Sequence, residues 1–123
     1  MTKKVLVVDD NPVSRELIRE VLVNSDQAVV EAENGEEALR MIAGEKPDIV
    51  LLDIQMPAYD GYEVLRRVRS DLKMENLPVI ALTAYAMQKD REKALAAGFD
   101  DFITKPVDVA ALREQVKKIL DRE

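Results

Sequence analysis

At 123 residues the chain is long enough for one domain with a real core and too short for two. Hydrophobic residues make up 47% and charged residues 34%, a soluble globular composition, and 18 Lys and Arg against 24 Asp and Glu give a net charge of -6, which argues against nucleic-acid binding. The chain has no Cys and no His, which excludes disulfides, thiol catalysis, a histidine base and a phosphohistidine, and restricts any metal site to oxygen ligands.

The chain enters a short strand at residues 5–8 with no signal-peptide core before it. That strand breaks at Asp9-Asp10, and Asn11-Pro12 reads as a helix cap and first helical position. Val13, Leu17, Ile18, Val21 and Leu22 recur at helical spacing and predict one apolar face. Residues 28–30 form a second strand. Asn34 with Glu37 resembles a capping box, and Ala38, Leu39, Met41 and Ile42 give the second helix its buried side. Ile49 to Leu52 are four aliphatic residues in a row, the pattern of a parallel strand buried on both faces, and Asp53 follows at its C-terminal end. Pro57 and Asp60-Gly61 force a turn, and Asp60 with Glu63 can cap a third helix that buries Val64, Leu65, Val68 and Leu72.

Residues 79–82 are a fourth strand ending at Thr83. From Gln88 to Ala97 the only long aliphatic side chain is Leu95, so the fourth helix is expected to be weakly held unless Ala94 and Ala97 pack close to the sheet. Gly98 stops it, residues 101–104 are a fifth strand, and Lys105-Pro106 ends that strand. Asp108 caps the last helix, with Val107 and Leu112 at staple positions and Val109, Leu112, Val116, Ile119 and Leu120 as its core stripe. Arg66, Arg67 and Arg69 read as a solvated helix face. Five strand–helix repeats with short links predict a doubly wound α/β domain, a five-stranded parallel sheet with helices on both faces, filling residues 1–123. No apolar run approaches a membrane span, so a cytoplasmic protein is expected.

Ligands of open α/β sheets bind outside the carboxyl ends of the strands. Asp9 and Asp10, Asp53, Thr83 and Lys105 all fall at such ends, and if the strand order is 2-1-3-4-5 they converge. Two unit charges about 4 Å apart at an effective dielectric of about 20 repel by on the order of 4 kcal/mol, so three carboxylates call for a cation. With oxygen donors alone, Mg²⁺ or Mn²⁺ is the fitting ion. Lys105 and Thr83 add an amine and a hydroxyl, and together these are the parts phosphoryl transfer requires. Taken singly, each has a plainer role: Thr83 a strand-end hydroxyl, Lys105 a surface lysine, Phe102 a core aromatic.

Val-Val-Asp-Asp-Asn at 7–11, Leu-Leu-Asp-Ile-Gln-Met-Pro at 51–57, Asp60-Gly61, Pro-Val-Ile-Ala-Leu-Thr-Ala at 78–84, Ala97-Gly98 and Ile-Thr-Lys-Pro at 103–106 resemble receiver domains of two-component response regulators. The resemblance covers essentially the whole chain. It implies the flavodoxin-like 2-1-3-4-5 sheet, Asp53 as the acceptor of an aspartyl phosphate, and Mg²⁺ held by Asp10, Asp53, the Gln55 backbone carbonyl and, mainly through water, Asp9. Lys105 is implied to pair with Asp53 and then the phosphoryl group, and Thr83 with the Ala84 N–H to bind phosphoryl oxygens. Phe102 stands at the switch aromatic, and the Lys105-Pro106 bond is expected to be cis. Gln55 and Tyr85 stand at positions that tune phosphoryl lifetime in the family, and bulky Tyr85 is expected to hinder the attacking water. The implied partners are a sensor histidine kinase or histidine phosphotransfer protein and a downstream protein met through the fourth helix, fifth strand and fifth helix, with no output domain, nucleic acid or membrane involved.

There are departures. Asp26-Gln27 stands where many members have Gly, and Tyr59 where Met is common. Two other functions compete. A phosphatase with an aspartyl-phosphate intermediate needs a second acid two residues after the nucleophile, where this chain has Gln55. A receiver-like binding module without chemistry is opposed by the complete Asp, Thr and Lys set.

Overall fold

Strand and helix alternate through the chain in a computed structural model that describes residues 3–24, 27–56, 60–84 and 87–121. The elements are β1 (Lys4–Val8), α1 (Pro12–Val23), β2 (Ala28–Ala32), α2 (Gly35–Glu45), β3 (Ile49–Asp53), α3 (Gly61–Ser70), β4 (Val79–Thr83), α4 (Gln88–Ala97), β5 (Asp101–Thr104) and α5 (Val109–Leu120). All strand pairs are parallel and the sheet order is β2-β1-β3-β4-β5, the order the resemblance implied.

Side-chain alternation along the strands divides the core in two. Val5, Val7, Ile49, Leu51, Ile80, Leu82 and Ile103 face α1 and α5, where Ile18, Leu22, Leu112 and Val116 meet them. Leu6, Val8, Val50, Leu52, Val79, Ala81 and Phe102 face α2, α3 and α4. Both faces are therefore covered, and β3 and β4 are buried along their whole length. That explains their unbroken aliphatic runs.

The helices start where the sequence places their caps. Asn11 accepts from the Val13 and Ser14 N–H groups, Asn34 from Glu37, Asp60 from Glu63 and Asp108 from Ala111. Each such cap is worth about 1 kcal/mol. The start of α4 lacks a side-chain cap. Its one buried residue is Ala94, whereas α3 buries Val64, Leu65 and Val68. At roughly 1.5–3 kcal/mol per large apolar side chain against about 1 for a methyl group, α4 is held far more loosely than α3. It also has a cation–π contact: Lys93 lies over the Tyr62 ring of α3 at 4.8 Å.

Several expectations need correction. Val13 is 75% exposed and Leu17 45%, so the apolar face of α1 is narrower than its apolar content. The sheet covers the stripe through Ile18, Val21 and Leu22 and leaves the neighbouring stripe to solvent. Val109 and Leu95 are likewise exposed, and small Ala94 rather than Leu95 anchors α4. Leu39, Met41 and Leu72 only edge the core. Arg66 and Arg67 do pair with acids at the surface of α3. Arg69 instead clamps the next turn of the fold, donating to the carbonyls of Met74, Leu77 and Gly98 and to Asp100. Asp26, Pro57, Tyr59 and Tyr85 lie outside the described residues.

Candidate functional site

The parallel register brings the strand ends level. Val8 lies beside Leu52, Asp53 beside Leu82, and Thr83 beside Thr104. The residues that follow, Asp9 after β1 and Lys105 after β5, therefore arrive at one rim with Asp53 and Thr83. Among the described residues the buried polar or charged side chains are Asp9, Asp53 and Thr83. Burying such groups costs free energy that packing does not return, so their concentration at one rim marks a site rather than a core.

Lys105 ties the carboxylates together. Its Nζ lies 2.7 Å from Asp9 Oδ2 and 3.2 Å from Asp53 Oδ2. Backbone N–H groups fix the other oxygens: Asn11 donates to Asp9 Oδ1 at 2.9 Å and Gln55 to Asp53 Oδ1 at 3.0 Å. Asp10 is exposed, yet one of its oxygens joins those of Asp9 and Asp53 in a group within 4.8 Å of one another. Burial is the largest influence on Asp53 and raises its pKa from 3.8 to about 6, with Lys105 opposing and Asp9 adding to the rise. For Lys105, burial acts to lower the pKa, but the hydrogen bond to Asp9 and the charges of Asp53 and Asp9 outweigh it and leave the pKa raised.

These residues fit a hard divalent cation. Three carboxylates crowd one ammonium in a small space, and every candidate donor is oxygen. The Asp cluster can hold a metal ion.

Thr83 does not point into empty solvent. Its hydroxyl donates to Gln55 Oε1 at 3.0 Å and accepts from Gln55 Nε2 at 2.8 Å, while the Ala84 N–H donates to the same Oε1 at 3.3 Å. A cavity of about 370 Å³ opens beside this group, lined by Gln55, Thr83 and Phe102 with Tyr62, Asp90 and Lys93 beyond. Phe102 is buried against it. The Lys105–Pro106 peptide is cis.

Three further contacts support the site, one of them from Arg15, a residue that no sequence motif marks. The Arg15 guanidinium donates to the Asp9 backbone carbonyl at 2.8 Å and pairs with Glu31, fixing the turn that aims Asp9. Gly61 not only turns the chain but allows a close approach: a Cβ there would stand 2.8 Å from Ile54 Cα and 2.9 Å from the Asp53 carbonyl oxygen. The Gln55 side chain, which stands at a lifetime-tuning position of the family, meets the Thr83 hydroxyl across the ends of β3 and β4, a pairing that no local pattern marks.

Residues 5–117 match the family model of the response regulator receiver domain. The chain belongs to that family. The receiver is 36% identical over 120 residues to the polar-differentiation response regulator DivK of Brucella anthropi, covering 98% of each chain. It is 46% identical over 114 residues to an uncharacterised 14.6 kDa protein of Leptolyngbya boryana, covering 93% of the receiver and 87% of that protein. Among solved structures, the Vibrio cholerae chemotaxis protein CheY4 superposes with a TM-score of 0.89 at 25% identity, covering 97% of the receiver and 99% of that chain. Receivers of this family serve two-component signalling, where they meet histidine kinases or phosphotransfer proteins and downstream partners. Among the described residues, no helix of this receiver is long and apolar enough to cross a membrane.

Proposed function

We propose that this receiver is a phosphorylation-dependent switch whose acceptor is Asp53. The observation that carries the reading is the Lys105 ammonium shared between Asp9 and Asp53, a preset counter-charge beside a buried carboxylate. With its pKa near 6, Asp53 is ionised at neutral pH and can act as nucleophile. One carboxylate oxygen bonds to the phosphorus of a partner's phosphohistidine as the phosphorus–nitrogen bond breaks, and the departing imidazole takes up a proton. The product is an acyl phosphate on Asp53. Lys105 balances its added charge, and the Thr83 hydroxyl and Ala84 N–H are the donors for its oxygens.

Asp9, Asp10, Asp53 and the Gln55 backbone carbonyl would hold Mg²⁺ or Mn²⁺, which when bound offsets the negative charge that gathers on the phosphoryl oxygens. The chain promotes its own phosphorylation and dephosphorylation and is not a turnover enzyme. Thr83 and Phe102 couple the site to the surface formed by α4, β5 and α5, where a downstream protein binds. Loose anchorage of α4 and the cavity between Thr83 and Phe102 support that route.

Incubation with acetyl phosphate and Mg²⁺, followed by intact-mass spectrometry, tests the reading. The wild type should gain one phosphoryl group and Asp53→Asn none. Equal labelling of the two would contradict it.

A further inference from the structure

The side-chain amide of Gln55 occupies both donors that the proposed acyl phosphate needs. Its Oε1 takes the Thr83 hydroxyl at 3.0 Å and the Ala84 N–H at 3.3 Å, and its Nε2 returns a bond to Thr83 Oγ at 2.8 Å. A carboxamide oxygen is a neutral acceptor standing where a charged one is to arrive. At the same time the Gln55 backbone N–H holds Asp53 Oδ1, so a single residue grips the acceptor carboxylate with its main chain and the end of β4 with its side chain.

We propose that Gln55 is an internal stand-in for the phosphoryl group, a latch that satisfies Thr83 and Ala84 in the unphosphorylated state and must leave before they can turn to the acyl phosphate. This rests on Asp53 being the acceptor. Hydrogen bonds to a charged acceptor are roughly twice as strong as neutral ones, so the phosphoryl oxygens win the exchange. Part of their gain is nevertheless spent on breaking the amide's bonds. The freed carboxamide has a polar destination next to it: the 370 Å³ cavity that Gln55 already lines, whose wall carries Asp90 and Lys93. Both belong to α4, the helix with a single buried alanine. Displacement of Gln55 thereby passes the arrival of the phosphoryl group to the most weakly anchored element of the fold.

The test uses the whole chain with Mg²⁺ and beryllofluoride, a tetrahedral phosphoryl mimic, followed by nuclear magnetic resonance. Gln55→Met keeps the length of the side chain and removes its hydrogen bonds. It should bind beryllofluoride about fivefold to tenfold more tightly than the wild type, the worth of one or two neutral hydrogen bonds released. In the wild type, saturation should move the Gln55 side-chain NH₂ resonances together with the Ala84 N–H, a readout that needs no variant to fold. Unchanged or weaker binding by a folded Gln55→Met, or Gln55 NH₂ resonances that stay in place, overturns the latch. The acceptor reading is separated by Asp53→Asn: if it binds beryllofluoride as well as the wild type, both the reading and the latch fall. If it does not bind and Gln55→Met matches the wild type, the latch alone falls.

Discussion

Lys105 Nζ stands 3.2 Å from Asp53 Oδ2, an ion pair closed between the ends of β5 and β3 across 52 positions of sequence. The amine is mostly buried and Asp53 almost wholly so. Removing one partner of such a pair leaves an uncompensated buried charge, which typically costs about 3–5 kcal/mol. Lys105→Met should therefore lower unfolding free energy at pH 7.5, measured by urea titration, by about 3 kcal/mol. Here Asp9 would be stranded as well as Asp53. A loss below about 1 kcal/mol would mean that solvent, not Lys105, balances the two acids.

The raised pKa of Asp53 gives the protein a pH signature of definite sign. Burial raises the folded group from the ordinary 3.8 to about 6, so between those pH values the folded state binds more protons than the unfolded one. Stability contributed by this group therefore falls as pH rises through that window and stays lowered above it. Asp53→Asn removes the cost without stranding Lys105, whose ammonium keeps Asp9 at 2.7 Å. At pH 7.5 without divalent cations it should be more stable than the wild type by on the order of 2 kcal/mol, and at pH 4 the advantage should nearly vanish. The same difference at both pH values would contradict the assignment.

Asp10 is the exposed member of the acid cluster, so its repulsion is the part solvent can relieve most. Asp10→Asn should still raise the metal-free melting temperature. It should also reduce the stabilisation by added Mg²⁺, which for a single site at ten times its Kd amounts to about 1.4 kcal/mol in the wild type. A fall in the metal-free melting temperature, or an undiminished response to Mg²⁺, would separate Asp10 from the cation.

Two glycines should answer alanine with opposite signs. Gly44 lies in α2 with nothing within 4 Å of an added Cβ, so Gly44→Ala should stabilise by about 0.5–1 kcal/mol. Gly61 lies where a Cβ meets the backbone of Ile54 and Asp53 at under 3 Å, so Gly61→Ala must shift the backbone at the end of β3, where the acceptor stands. It should destabilise and slow labelling by acetyl phosphate together. Wild-type labelling by Gly61→Ala would show that the acceptor's position tolerates that shift.

Much of the fold and site is legible in the sequence because the governing signals are local. The aliphatic runs at β3 and β4 are unbroken because both faces are covered, and Asn11, Asn34, Asp60 and Asp108 cap within three residues of themselves. Sequence pattern does not reach what geometry between elements decides. Helical spacing makes Val13 and Leu17 as apolar a stripe as Ile18 and Leu22, and only the docking angle of α1 selects between them. Gln55 meets Thr83 28 positions away and Arg69 meets Asp100 31 positions away, pairings that exist only once the strands are in order. The acids and Lys105 were found because a rare combination at strand ends needs no geometry to be noticed. Arg15 left no such trace, and Asp60-Gly61 marked a turn but not the close approach that Gly61 makes.

The central claim is that one carboxylate of this cluster carries the phosphoryl group. Sodium borohydride reduces an acyl phosphate to an alcohol, so treatment of the acetyl phosphate-labelled protein followed by peptide mass spectrometry reads the acceptor directly. Homoserine at position 53, dependent on Mg²⁺ and absent from unlabelled protein, is the predicted result. Homoserine at Asp9 or Asp10 instead, or none at all in labelled protein, would contradict the account.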